Sequence, residues 1–146
     1  MLKAIVGVIV GYLVIMLVAF AAYTAAYFGL GADRAFEPDT YALSGIWIGL
    51  VIAITVISGL VGGLTCAAIS KSRTTGLVFA VIVFVLGFVF ELPNIMNHTP
   101  VARAGDVSNM EAMGKAKPPV WLLFLNPFLG GAAVLMGTRM KKNPAV

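Results

Sequence analysis

Three polar residues in or beside long apolar runs have side chains that could bind a ligand: Asn126, Glu91 and His98. Asn126 precedes Pro127 within an apolar run, and proline removes one helix hydrogen bond and crowds the carbonyl four residues earlier. A carbonyl freed in this way, beside an amide, could hold an ion or a small solute. The alternative is structural, because asparagine in a membrane helix commonly bonds to a neighbouring helix.

Glu91 and His98 follow the end of a different apolar run. The Glu91 carboxylate could act as a functional acid at the membrane rim. It could instead extend into the interface, or form an ion pair with Arg103 or Arg34. His98 is the only histidine, which excludes the pair of intramembrane histidines that would hold haem.

A metal site is the weakest of the chemical hypotheses. Met96, His98, Met110 and Met113 are soft ligands of the kind that Cu(I) prefers, but they form no compact motif. Cys66 is the only cysteine, so no intrachain disulfide or cysteine metal cluster can form. We therefore expect apolar packing for the methionines, with no metal and no cofactor.

Motifs of known catalytic centres are missing from the sequence. There is no glycine-rich phosphate loop, nucleophile elbow or zinc-binding helix. The apolar runs carry no Asp, Glu, Lys, Arg or His away from their ends, whereas proton relays and ion pathways in membranes use such residues. The sequence therefore predicts a protein that is not an enzyme and not a proton-coupled transporter.

The elements that must position these residues follow from composition. Of the 146 residues, 60% are hydrophobic and 11% are charged, against about 25% charged in soluble domains. A bilayer core needs about 20 apolar helical residues, and four uncharged runs approach or exceed that length. We predict an all-α integral membrane protein, a single domain with four transmembrane helices in a bundle, spanning about residues 4–28, 42–70, 74–90 and 119–138.

An N-terminal secretory signal is the rival interpretation of the first run. Lys3 precedes an apolar stretch that reaches Ala19-Phe20-Ala21, which resembles a signal cleavage site. The stretch is longer than a signal core of about 7–15 residues. A retained span is therefore favoured.

Local residue types indicate where the helices begin and end. Asp39 or Thr40 could cap the start of the second span, Pro93 is expected to end the third, and Pro118-Pro119 to open the fourth. Outer loops are expected at 29–41 and 91–118, a tight turn at 71–73, and a tail at 139–146. In the second loop, Ser108 and Glu111 form a capping box that predicts a short interfacial helix to about Ala116.

The charges predict the orientation. One side has a net charge of +6 and no acidic residue, from Lys3, Lys71, Arg73, Arg139, Lys141 and Lys142. The other side has a net charge of −2 and carries all the acids. Because Lys and Arg concentrate in cytoplasmic loops, we expect both termini in the cytoplasm, most simply of a bacterium with the chain in its inner membrane. Near the outer ends, an aromatic belt is expected from Tyr23, Tyr27, Tyr41, Trp47 and Trp121.

Glycines at four-residue spacing predict close helix packing. The residues expected to do this are Gly45, Gly49, Gly59, Gly63, Gly130 and Gly131. The pairs Gly62-Gly63 and Gly130-Gly131 each precede two basic residues at the same spacing, which favours the hypothesis of two repeated helical hairpins. Chance recurrence of such features in membrane helices is the alternative.

These observations predict a small non-catalytic membrane protein, an accessory or structural subunit of a membrane complex or a homo-oligomer. Its expected partners are the lipid bilayer and other membrane subunits or further copies of itself, with no nucleic acid. One alternative is a channel or uncoupled transporter for a neutral or weakly charged solute, with Asn126 and the glycine faces lining the path. The other is an outer-loop metal handler or membrane enzyme.

Overall fold

The computed structural model describes residues 1–99 and 101–140. The helices in this part of the chain are α1 (Leu2–Leu30), α2 (Ala32–Ala35), α3 (Gly45–Ser70), α4 (Arg73–Met96), α5 (Asn109–Lys115) and α6 (Val120–Met140). Four of them, α1, α3, α4 and α6, are long and apolar enough to cross a membrane. This confirms the prediction of an all-helical chain with four such helices. The tail expected beyond Met140, with Lys141 and Lys142, lies outside the described residues.

The start of α3 differs from the prediction. Neither Asp39 nor Thr40 caps this helix; the Ser44 side chain does so, accepting a hydrogen bond from the backbone N–H of Trp47 at 3.2 Å. Asp39 lies in the left-handed region with φ 58°. The reason is tertiary, because residues 36–43 are held in an irregular, partly extended path by bonds to the second loop.

The end of α4 also differs, because Pro93 does not terminate the helix. The helix continues to Met96, and the backbone N–H of Asn97 donates to the Pro93 carbonyl at 3.0 Å. Proline removes its own donor and crowds the carbonyl four residues earlier, that of Val89, but it fixes φ near the helical value and leaves the donors of the residues after it intact. One further turn can therefore follow it.

The four long helices pack in the order α1, α3, α6, α4. α3 lies between α1 and α6, α4 packs on the other side of α6, and α1 and α4 have few contacts with each other. Gly7 lies against Ser70, and Gly76 lies against Thr138. The start of α1, the turn between α3 and α4, and the end of α6 therefore share one end, which we call the terminus end; the opposite end is the loop end.

Glycines bring the helix backbones together near the terminus end. An ideal Cβ on Gly11 would lie 2.9 Å from the Gly62 carbonyl oxygen, and one on Gly63 would lie 2.3 Å from that of Val134. Neither contact leaves room for a side chain. Phe79 and Val134 are completely buried beside them, so this end of the molecule is tightly filled.

Residues 31–44 and 101–118 form a layer over the loop end, which we call the cap. Three isolated bridges join its segments: Phe36 with Leu43, Thr40 with Ala102, and Ala42 with Lys117. The predicted short helix is confirmed as α5, and its N-cap Ser108 accepts from the backbone N–H of Glu111. The cap is the part of the fold that positions the candidate site.

Candidate ligand-binding site

Tyr41 is the centre of the cap, with only 2% of its surface exposed. Its backbone N–H donates to the Val101 carbonyl at 3.1 Å, and its own carbonyl accepts from Lys117 at 2.8 Å. The Tyr41 hydroxyl donates to Glu111 Oε1 at 3.0 Å. One residue thus ties the first loop to both ends of the second.

Glu111 also accepts from Lys115 Nζ at 2.8 Å, one helical turn away. The hydrogen bonds from Lys115 and Tyr41 lower the pKa of the Glu111 carboxyl, and the bond to Glu111 raises the pKa of Lys115. Burial, together with the hydrogen bond to Glu111, raises the pKa of the Tyr41 hydroxyl. The charged pair is therefore the stable form of this cluster at neutral pH.

We expect Glu111→Gln to lower the melting temperature at neutral pH and to have no effect in acid. A carboxyl whose pKa is lowered by folding contributes stability above its ordinary pKa of about 4.3, and loses it as the pH falls through the lowered value. Melting curves of variant and parent across this range check the expectation. Asp106→Asn, at an exposed acid that forms no ion pair within the described residues, is the control. If Glu111→Gln still melted at a lower temperature than the parent in acid, this expectation would be contradicted.

Arg103 is a second link between the two loops of the cap, because it bonds to Asp33 of α2. Only 5% of its side chain is exposed, and its guanidinium donates to Asp33 Oδ1 at 3.1 Å and to the Gly105 carbonyl at 2.6 Å. It also lies over the Phe36 ring, 6.0 Å from the centroid. Of the alternatives for Glu91, an ion pair with Arg103 or Arg34 is not observed among the described residues, because Arg103 pairs with Asp33 and neither arginine pairs with Glu91.

Beneath the cap lies a cavity of about 180 Å³. α1, α3, α4 and α6 provide its walls, and α5 and the loop segments cover it. Its lining is mostly apolar and aromatic, with three carboxylate or amide side chains: Glu91, Asn109 and Asn126. This is the combination expected of a small-molecule site, in which a few polar groups orient a ligand inside an apolar pocket.

One wall of the cavity is aromatic. The Trp47 ring lies 6.3 Å from that of Tyr23 and 6.2 Å from that of Tyr27, edge-on to the latter. Trp47 and Tyr27 are buried, and the Tyr27 hydroxyl donates to the Val107 carbonyl in the cap. The aromatic belt predicted from the sequence requires exposed side chains. Trp121 has this exposure, at 54%. Tyr27, Tyr41 and Trp47 are buried instead and face the interior.

The polar lining residues differ in how their hydrogen bonds are used. Asn126 Oδ1 accepts from the Thr55 hydroxyl at 2.8 Å, which joins α6 to α3. Glu91 accepts from the Asn94 amide at 3.2 Å, and within the described residues no Lys or Arg forms an ion pair with it. The Asn109 amide donates to Thr24 at 3.2 Å, but its buried side-chain oxygen has no donor among the described residues.

The structure thus brings two of the three predicted ligand-binding residues together. Asn126 and Glu91 line one cavity, although 35 positions separate them in the sequence. His98 is exposed and outside that lining. Sequence reasoning missed Asn109 and the aromatic wall; the signal that could have found them is the grouping of three aromatic residues and an acid at one end of the spans.

The glycines expected to pack helices fall into three groups by the room around them. Ideal Cβ atoms on Gly59 and Gly63 would collide with α6, and one on Gly131 would press on α4. Gly130 has room for ordinary contacts. Gly45 and Gly49 meet nothing within 4 Å, so their face of α3 has no neighbour within the described chain.

Metal chemistry receives no support from the described residues. No group of three or more His, Cys, Asp or Glu side chains there could hold a metal ion. Met96 and Met110 are strongly exposed, whereas Met113 lines the cavity.

Comparison with known protein families, with curated proteins and with solved structures finds no match for this chain.

Proposed function

We propose that the protein is a non-catalytic membrane subunit that associates through α3, in the first place with a second copy of itself. The observation that carries the proposal is the exposed small-residue face of α3. Gly45, Gly49 and Ala53 recur every four residues, all are exposed, and no neighbouring atom of the described residues lies within 4 Å of an ideal Cβ on either glycine. Helices in lipid associate through such faces, because small residues allow the backbones to approach closely.

A second copy is the favoured partner because it supplies the same face. In a two-fold dimer, each small residue of one α3 lies against the other α3, so one surface is complementary to itself. Large exposed side chains, Ile46 and Ile57, border the small face and would pack around the crossing. A different subunit with a small-residue helix is the alternative partner.

We also propose that the loop end faces outward and the terminus end faces the cytoplasm, in the inner membrane of a bacterium. Lys3, Lys71, Arg73 and Arg139 all lie at the terminus end, where the described residues include no acid. The loop end carries all six acids of the sequence. This asymmetry follows the rule that basic residues concentrate in cytoplasmic loops.

The order of the helices supports a bundle of two repeated hairpins. α1 packs on α3 as α4 packs on α6, and α3 and α6 meet in the middle. Such an arrangement has an approximate two-fold axis along the membrane normal, as parallel repeats have. The contacts of the two glycine pairs do not follow this symmetry, because Gly63 packs on α6 of the other hairpin whereas Gly131 packs on α4 of its own.

We expect Ala53→Cys to form disulfide-linked dimers when native membranes are oxidised, because residue 53 would lie at the crossing. Cys66 is the only cysteine and is buried, so the parent chain should not cross-link. Ala25→Cys, an equally small exposed position on α1, is the matched control and should stay monomeric. Non-reducing gels measure the outcome.

A further substitution at Gly49 tests whether close packing of the two α3 helices holds the dimer together. Adding Gly49→Leu to the Ala53→Cys chain should weaken dimerisation about tenfold, whereas adding Ala25→Leu should not. A different co-purifying chain in mild detergent would support the accessory-subunit form of the proposal. A monomer with no co-purifying chain, and without cross-linking at residue 53, would overturn both forms.

The channel or transporter alternative has less support. Asn126 lines the cavity, but toward the terminus end Gly11 meets Gly62 and Gly63 meets Val134 at backbone distance. These contacts leave a solute little room beyond the cavity. The metal-handling alternative lacks a supporting cluster in the described part of the chain.

A further inference from the structure

We infer that the cavity beneath the cap is a binding site for a primary ammonium group attached to a small apolar body. The proposal does not depend on dimerisation through α3. It rests on three features of the cavity: its size, a carboxylate that has no cationic partner among the described residues, and an aromatic wall.

The size sets the apolar part of the ligand. The cavity measures about 180 Å³, and an apolar protein cavity of about 150 Å³ holds one benzene molecule. Valine, leucine and aromatic side chains, including Val51, Leu122 and Leu123, supply the apolar lining. A body of about one ring, with a charged group at one end, fits this space.

Glu91 determines the charge of the ligand. Its carboxylate is half-buried in a helix of apolar composition, and its one hydrogen bond within the described chain comes from the Asn94 amide. A carboxylate removed from water needs a cation or several donors to offset the lost hydration. Because no Lys or Arg of the described residues forms an ion pair with it, a bound cation is the missing partner.

The aromatic wall and the Glu91 carboxylate determine the kind of cation. Trp47, Tyr23 and Tyr27 present a cluster of rings to the same cavity, and cations bind favourably over such rings. The Glu91 carboxylate is an acceptor of hydrogen bonds, and bonds to an ionised group are stronger than neutral ones. An ammonium that carries N–H groups can lie over the rings and also donate to Glu91, whereas a quaternary ammonium can only lie over the rings.

Benzylamine is the probe that tests the site in purified protein in nanodiscs. The neutral probe benzyl alcohol has the same ring, and benzyltrimethylammonium has the charge without N–H donors. The readout is Trp47 fluorescence in a Trp121→Phe chain, since the sequence has two tryptophans and Trp121 is exposed outside the cavity. We expect saturable benzylamine binding that is at least about tenfold tighter than that of either comparison probe.

Glu91→Gln should weaken benzylamine binding about tenfold or more, because a charge-assisted hydrogen bond becomes a neutral one. Glu37→Gln, at an exposed glutamate outside the cavity lining, is the matched control and should bind as the parent does. Ala112→Leu extends a buried side chain of α5 into the cavity and should reduce binding while keeping the acid. This second variant keeps the test informative if Glu91→Gln does not fold.

Equal binding of benzylamine and benzyl alcohol, or an unchanged affinity in Glu91→Gln, would overturn the site. Equal binding of benzyltrimethylammonium would overturn the primary-ammonium class. The natural source is distinguished by the lipid of the nanodisc. If phosphatidylethanolamine, which carries a primary ammonium on a polar phosphate headgroup, competes with benzylamine where phosphatidylcholine does not, the ammonium part of the proposal stands and the small apolar body is overturned in favour of a lipid headgroup; if the two lipids give equal affinity, the ligand is a free amine.

Discussion

Gly63→Ala is expected to destabilise the protein by about 2–3 kcal/mol, even though the change adds one methyl group and improves helix propensity. The added Cβ would lie 2.3 Å from the carbonyl oxygen of Val134. The obstacle is backbone rather than the end of a flexible side chain, so α3 and α6 must move apart. Separation of these helices would also loosen the reciprocal contact, in which Gly137 lies against the Leu60 carbonyl.

The matched control is Gly49→Ala, the same substitution in the same helix. Within the described chain, Gly49 has nothing within 4 Å of an ideal Cβ, so at a detergent excess that keeps the protein monomeric the variant should be unchanged or up to about 1 kcal/mol more stable, from helix propensity alone. Unfolding in mixed detergent micelles, followed by circular dichroism, gives both free energies. The packing argument fails if the two variants change stability by the same amount in the same direction.

This pair of glycines shows what the sequence could and could not predict. The four-residue spacing identifies Gly45, Gly49, Gly59 and Gly63 equally well, because spacing places residues on one helix face. It does not say whether lipid or another helix covers each part of that face. That answer depends on how α3 crosses its neighbours, which is a property of the whole fold.

The long helices were predictable for a simpler reason. A helix that crosses the hydrocarbon core needs about 20 apolar residues, and its backbone hydrogen bonds must be made within the helix. A run of about 20 apolar residues can be recognised directly in the amino-acid sequence. Pro93 was less informative than expected, because a helix can continue for one more turn past a proline near its end, as α4 does to Met96. Ser44 was missed as the cap of α3 because Asp39 and Thr40 are also good capping residues, and tertiary bonds decided among them.

The candidate site was predictable only in part. Glu91 and Asn126 stood out as polar residues near apolar runs, and each could be singled out without knowing the other's position. Their meeting in one cavity depends on the packing of α4 on α6. Asn109 became relevant only because the cap folds over the loop end, through pairings between loops that are distant in sequence.

Arg103→Met is expected to open the cap without unfolding the long helices. The guanidinium is almost completely buried and bonds to Gly105 at 2.6 Å and to Asp33 at 3.1 Å, over the ring of Phe36. Bonds to charged groups and cation–π contacts of this kind together contribute about 2–4 kcal/mol. The ion pair itself contributes little to the stability of the cap, because the Asp33 side chain is 84% exposed and water screens it.

Hydrogen exchange measures this local opening at two amides that cross the cap. The N–H of Arg103 donates to Asp39, and that of Lys117 donates to Tyr41. Both should exchange about 30-fold to several hundred-fold faster in Arg103→Met, as expected for a loss of about 2–4 kcal/mol from the opening free energy. Amides in the middle of α3 should keep the parent rate.

Asp33→Asn separates the buried bonds of Arg103 from its ion pair. This variant retains a side-chain oxygen at an exposed position. The opening free energy measured at both cap amides should therefore change by less than about 1 kcal/mol. If Asp33→Asn opened the cap as far as Arg103→Met, the ion pair would be the main restraint and the buried contacts with Gly105 and Phe36 would not. If neither variant changed exchange, the backbone bonds through Tyr41 would suffice to hold the two loops together.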